Sequence, residues 1–248
     1  MSSVISSDLV VYTAATMPEN DSSSVGGDIN SGVRASFDDP SSPVSIVTYS
    51  SSTSDTGQAL TLTGRTTAGT IVAESLSLNG TSNVTSTYTY ERLLKGYLNS
   101  TAVGSVTISG NGVNVVTSIP VGESGFRRPF YDATASVDSA KTFYEKIFVQ
   151  NTNSIATLNS ANIIEVSNGL YSKISFALED TKQSNQTISN RLSVPTGVTG
   201  GFGSGPSGVV DSALLAGDYQ GVWFKLSLDA GETAQNSFYE VQVSGTTA

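Results

Sequence analysis

Short runs in which apolar and polar residues alternate recur along almost the whole chain, and turn-forming residues separate them. Leu60 and Leu62 alternate with Thr, as do Tyr88 and Tyr90; Val106 with Ile108 and Val113 with Val115 continue the pattern. Alternation of period two turns one face of a strand inward and leaves the other wet. The pattern is sharpest in the last third. There Val222, Phe224, Leu226 and Leu228 share one face, with Trp223, Lys225 and Ser227 opposite. Ile174, Phe176 and Leu178 form a similar face, with Lys173, Ser175 and Glu179 opposite, and Tyr239, Val241 and Val243 end the chain likewise. Phe143 to Val149 alternates less strictly, as a strand buried on both faces does.

The breaks between these runs are as informative as the runs. Ala68-Gly69 and Asn79-Gly80 read as turns, Asn-Gly being the stronger signal because both residues tolerate positive φ. Leu93, Leu94, Tyr97 and Leu98 have helical spacing, but Gly96 and the short length favour a bulged strand. Near the N-terminus, Leu9–Tyr12 and Val33–Phe37 read as strands, and PENDSSSVGGDINSG between them reads as a long loop. The glycines of Val198–Gly208 predict a mobile surface loop.

Charge divides this series of strands. Residues 1–40 carry six acidic residues and one Arg, and residues 41–130 carry five basic and four acidic. From 131 onward there are six basic and eleven acidic residues. A near-neutral middle between acidic flanks, together with the strand count, predicts an all-β protein of two β-sandwich domains, immunoglobulin-like or jelly-roll-like. Residues 1–40 plus 131–248 would form one discontinuous sandwich, with 41–130 inserted after Asp38-Asp39-Pro40 as the second.

Composition narrows the chemistry. Only 13% of residues are charged and 38% are apolar, which suits short strands and many turns. The absence of Cys removes disulfides and thiolate metal sites, and the absence of His removes the usual neutral-pH base. A net charge of −9 disfavours a nucleic-acid partner. The N-terminal MSSVISSDLVVY has neither a basic stretch nor a long apolar core, so no signal peptide is expected, and no run is long enough to span a membrane. A protein made in a cytoplasm follows.

Three features invite a functional reading. Gly200-Gly201-Phe202-Gly203-Ser204-Gly205 lacks the Lys and the strand–loop–helix setting of a phosphate loop, so it reads as a flexible loop. Asp38 with Asp39, Glu179 with Asp180, and Asp21 with Asp28 offer oxygen ligands for Ca²⁺, but none has a known loop spacing. They read as solvated turn acids. No acidic pair marks a glycosidase, so we expect no enzyme activity, no cofactor and no metal. The third feature is Phe126-Arg127-Arg128-Pro129-Phe130-Tyr131. It is either a contact surface rich in hot-spot residues or a linker whose aromatics tuck against the flanking sandwiches. Phe126, Arg127, Arg128, Phe130 and Tyr131, with Phe202 of the Gly-rich loop and the outward Trp223, are therefore the candidate interface residues.

The stretch Ala59–Gly110 resembles a β-module recurrent in virion proteins of tailed bacteriophages. The residues that carry the likeness are TLTGRTTAGTIVAESLSLNGT, Tyr90-Glu91-Arg92 and Val103-Gly104-Ser105-Val106-Thr107-Ile108. The flanks resemble the same class through Asp8-Leu9-Val10-Val11-Tyr12, ENDSSSVGG at 19–27, FYEKIFVQNT at 143–152 and Gly221-Val222-Trp223-Phe224. The resemblance implies a structural component of the particle with no catalytic residues. Most directly it implies a capsid decoration or cement protein on the head surface. Its partners would be the major capsid protein and copies of itself, a trimer being favoured, with the Gly-rich loop or the 19–32 loop as an arm. A tail, adaptor or fibre component is the alternative, and a non-viral carbohydrate-binding or adhesive module using Trp223 is a third.

Overall fold

The computed structural model describes residues 3–169, 173–205, 207–233 and 239–247. The described residues are all-β, apart from two single turns of 3₁₀ helix at Ser6–Asp8 and Val210–Ser212. The strands are β1 (Leu9–Thr16), β2 (Val25–Ala35), β3 (Val44–Ser50), β4 (Ala59–Thr66), β5 (Ile71–Ser77) and β6 (Val84–Leu98). Next come β7 (Val106–Gly110), β8 (Asn114–Ile119), β9 (Gly125–Arg127), β10 (Lys141–Asn151), β11 (Leu158–Asn168) and β12 (Ile174–Glu179). The last are β13 (Thr187–Ile188), β14 (Val198–Gly203), β15 (Ser207–Gly208), β16 (Ala213–Leu214), β17 (Tyr219–Leu228) and β18 (Tyr239–Thr247).

Two compact units emerge, Ser31–Tyr131 and Met1–Asn30 with Asp132–Ala248. The first division falls within β2, earlier than the turn at Pro40. Val33–Ala35 pair in parallel with Gly125–Arg127 of β9, which draws residues 31–40 into the central unit. The charge divides with the units: the central one has six basic and six acidic residues, so the other carries the whole net charge of −9.

Within the central unit β6 is the strand on which the others are built. Its first half pairs with β3, from Thr48 opposite Val84 to Val44 opposite Tyr90. Beyond β3 lie β7 and β8. Its second half pairs with β4, from Thr66 opposite Tyr90 to Leu60 opposite Leu98, and β5 lies beyond β4. A strand that passes from one sheet to another needs a break in its ladder, and bulges supply one. Opposite Ser45 and Val47 the register slips, and the Ser86 hydroxyl fills the gap. It accepts from Ile46 N–H at 2.8 Å and donates to Tyr88 O at 2.8 Å. The slip also corrects the expected shared face of Tyr88 and Tyr90: Tyr90 is buried, whereas Tyr88 is exposed. Gly64 lies under the Tyr90 ring, where a Cβ would come within 2.4 Å of it.

The two sheets close on one core, as in a β-sandwich. Ile46, Val106, Ile108 and Ile119 come from one, and Leu60, Leu62, Leu76, Leu93, Leu98 and Phe126 from the other. Val113 and Val115, expected to point inward, are exposed instead. Val113 precedes β8, and a bulge between the Ile108–Thr117 and Ser109–Val115 pairs changes the face that β8 presents.

In the other unit β10 is central, pairing with β1 on one side and β17 on the other. Beyond β17 lie β12 and β14, and beyond β1 lies the start of β2, which β13 joins. A second sheet is built on β11, which pairs with β15, β16 and β18. The ring of Tyr239 on β18 meets Phe224 on β17 edge-on at 5.9 Å between centroids, so these sheets face one another. Two loops expected from sequence are in part strands. Residues 25–32 belong to β2, and the Gly-rich stretch forms edge strands β14 and β15. Gly200 and Gly201, both at φ +71°, lie in β14 where its ladder with β12 is irregular.

A buried carboxylate closes one end of the central unit. Asp55 accepts from the Ser50 hydroxyl, from Val103 N–H at 2.8 Å and from Gly104 N–H at 2.9 Å. Burial pushes its pKa up, but these three donors together outweigh burial and hold it below the usual aspartate value. A depressed folded-state pKa adds stability above the unfolded value and loses it as pH falls through the folded one. Asp55→Asn should cost about 2–3 kcal/mol at pH 7. Urea unfolding of both proteins should show that gap narrowing below about pH 4; a gap independent of pH would contradict the assignment.

Candidate functional site

The segment read either as a contact surface or as a linker with tucked aromatics folds inward. β9 lies between Lys95–Tyr97 of β6 and Val33–Ala35 of β2. Phe126 is buried against Gly96, where a Cβ would come within 2.5 Å of its ring. Arg127 is also buried, its guanidinium 5.2 Å from the Tyr131 ring centroid, and Lys95 Nζ lies 5.5 Å from the same ring. Arg128 binds main chain: Nε donates to Leu93 O at 3.0 Å, and one terminal nitrogen donates to Phe37 O and Asp38 O at 2.9 and 3.0 Å. The same nitrogen meets Asp39 at 2.7 Å, and Arg92 reaches Asp39 from the other side at 3.2 Å. Phe130, at φ +57°, and Tyr131 are half-buried. Burial thus removes Phe126 and Arg127 from the candidate surface, and Arg128 acts as a bracket between residues 37–39 and β6.

Trp223 requires the larger correction. Strand alternation does place it opposite the Phe224 face, but that second face is covered too. Trp223 is fully buried with Val25, Tyr144 and Ile188, and Phe202 packs against this cluster with its ring 5.2 Å from Tyr144. The strand register explains what else lies there. Lys146 stands opposite Trp223, and Trp223 stands opposite Ala177, so Lys146, Trp223 and Glu179 share one face of β10, β17 and β12. Gly221, opposite Phe148, leaves the space that the Glu179 carboxylate fills; a Cβ there would come within 1.9 Å of Oε2.

Across this space Lys146 Nζ meets Glu179 Oε1 at 2.8 Å, with both side chains wholly buried. Trp223 Nε1 donates to the same oxygen at 3.1 Å. Nζ also donates to Gly27 O and Ser184 O, each at 3.0 Å, and to Gln186 O at 3.3 Å. The Phe148 ring lies 4.5 Å from Nζ. Burial raises the Glu179 pKa and lowers that of Lys146, and their mutual contact opposes both shifts. Three carbonyls and a carboxylate around one nitrogen are the surroundings of an ammonium. Glu179, expected as a solvated turn acid, is thus part of the interior. Sequence periodicity carried no sign of the pair: Lys146 lies inside an apolar run and Glu179 at the end of another.

Two more of the candidate acids are bonded within the fold, whereas Asp180 is exposed as expected of a turn acid. Asp21 receives Lys141 at 2.9 Å and Arg191 at 2.7 Å, and Asp28 accepts from the Tyr219 hydroxyl at 2.8 Å. Arg191 extends the first network to Asp132 at 2.9 Å and lies 4.9 Å from the Phe143 ring centroid. Among the described residues no three acids converge as a metal site would need. Comparison with protein-family models, with curated proteins and with solved structures finds no match.

The chemistry of these groups is cross-bracing. Lys146→Met leaves Glu179 buried without its cation and should lower stability by about 3–5 kcal/mol. The double change Lys146→Met with Glu179→Leu should recover only part of that loss, because the carbonyls of Gly27 and Ser184 lose this donor and Trp223 Nε1 loses its acceptor. Chemical denaturation of the two singles and the double checks this, and a double variant as stable as the native chain would refute the bracing role.

Proposed function

We propose that this chain is a structural component of a tailed-bacteriophage particle, most directly a decoration protein that binds the outside of the capsid shell and stabilises it. The observation that carries the reading is the use of the charged side chains: Lys146, Glu179, Arg191, Asp21, Arg128, Asp39 and Asp55 are all engaged in bracing strands and loops. A body braced in this way suits a protein that holds its shape under load. The phage-like strand-and-turn motifs of the sequence supply the class. In such a particle each contact is individually weak, and simultaneous engagement of several capsid subunits raises the total strength. A sugar-binding module has less in its favour, since Trp223, the chain's single Trp, is buried.

The test is the composition of purified particles. Quantitative mass spectrometry should find this chain in fixed proportion to the major capsid protein, and particles made without it should open at lower temperature. A few copies per particle would favour a tail or adaptor component instead, and absence from particles would overturn the proposal.

A further inference from the structure

One end of the acidic unit displays three large aliphatic side chains on a hydrogen-bonded framework. Asn151 is fully buried, and its Nδ2 donates to Ala156 O at 2.9 Å, Leu214 O at 3.0 Å and Leu215 O at 3.2 Å. Two residues on, Asn153 Oδ1 accepts from Ile155 N–H at 2.9 Å and Ala156 N–H at 2.7 Å. Its Nδ2 donates to Asp8 Oδ2 at 2.9 Å, and that same oxygen accepts from Ile5 N–H at 2.9 Å. Three chain segments distant in sequence are thereby tied at one place. Each offers a large apolar side chain to solvent: Ile5 at 57%, Ile155 at 77% and Leu215 at 51% exposure. Ordering a platform in advance removes part of the entropy cost of binding, which is what contact surfaces require.

Charge indicates what covers it. Asp8 is part of the framework, and Leu215 N–H donates to Asp218. Lys182 holds Asp218 at 2.8 Å and lies 3.8 Å from Asp211, whose side chain is 79% exposed. Three Asp against one Lys make the surroundings negative, within a unit that carries the whole net charge of −9. A second copy seated here by the same face would bring like charges together, and an anionic lipid surface would repel it.

We propose that the Ile5–Ile155–Leu215 platform is the face by which this chain docks on another protein, one whose seat presents apolar side chains ringed by Lys and Arg. The inference rests on the virion reading, in which that seat belongs to the capsid shell. Anchors of this kind lie at the centre of an interface, and the acidic rim adds a salt-sensitive contribution.

The experiment measures binding of the purified chain to particles of the encoding phage produced without it. Ile155→Asp with Leu215→Asp should weaken binding by roughly tenfold or more, with an unchanged melting temperature. Ile155→Asp alone should act in the same direction, and it serves if the double variant is less stable. Asp211→Lys should weaken binding and flatten its salt dependence. Val113→Asp, at a side chain 80% exposed in the neutral unit, should bind as the native chain does. Native-like binding by the aspartate variants would overturn the platform while leaving the virion reading intact. Failure of the native chain to bind particles would overturn both. A native dimer in sedimentation that the aspartate variants abolish would make a second copy the occupant and overturn the docking assignment.

Discussion

A charge pair sealed between a Trp and a Phe is the constraint on which the acidic unit depends. Lys146 and Glu179 belong to β10 and β12, the two strands that flank β17, and they meet over Gly221 beside Trp223. Burying two ions is costly, and a lone pair seldom offsets the loss of water. Here the ammonium also gathers the carbonyls of Gly27, Ser184 and Gln186, so one nitrogen ties the start of β2 and the segment before β13 to the sheet. The face opposite the β11 sheet is thus covered by short strands and loops, fastened by polar contacts where apolar area is small. Gly221 is part of the same arrangement, since any side chain there would collide with the carboxylate.

The neutral unit solves a related problem through backbone geometry. A single strand, β6, serves two sheets, and the loss of ladder bonds at the crossing is offset by the Ser86 hydroxyl. Glu74 on β5 fastens the same region, accepting from the Tyr90 hydroxyl at 2.7 Å and from Thr87 N–H at 2.8 Å. Asp55 and Arg128 then tie loops to strands. Both units use polar side chains to hold segments that a thin apolar core does not hold alone.

Sequence patterning revealed the strands far better than their surroundings. The inward residues Leu60, Leu62, Val106 and Ile108 are buried as period-two alternation predicts, and Phe143–Val149 is buried on both faces. Alternation also separates Trp223 from Phe224 correctly, but it tells only which residues share a face. Whether the second face is wet depends on what packs over it, and the cover comes from Val25 and Ile188, far away in the sequence. The same limit hid the Lys146–Glu179 pair and left Phe126 and Arg127 open between a contact surface and a tucked linker. Gly-rich stretches misled for another reason. Glycine permits irregular backbone without forbidding a ladder, so residues 25–27 pair with β13 inside the sheet and residues 198–203 form an edge strand. The Ile5–Ile155–Leu215 platform left no local signal, since hydrogen bonds from two Asn side chains assemble it.

Both units are braced internally by charged side chains, one unit acidic and the other neutral, and the proposed role for such a chain is to bind and hold on the outside of a capsid shell. Imaging of purified particles with and without the chain tests that claim most directly. The account predicts difference density repeated over the outer face of the shell; density confined to the tail, or no difference at all, would contradict it.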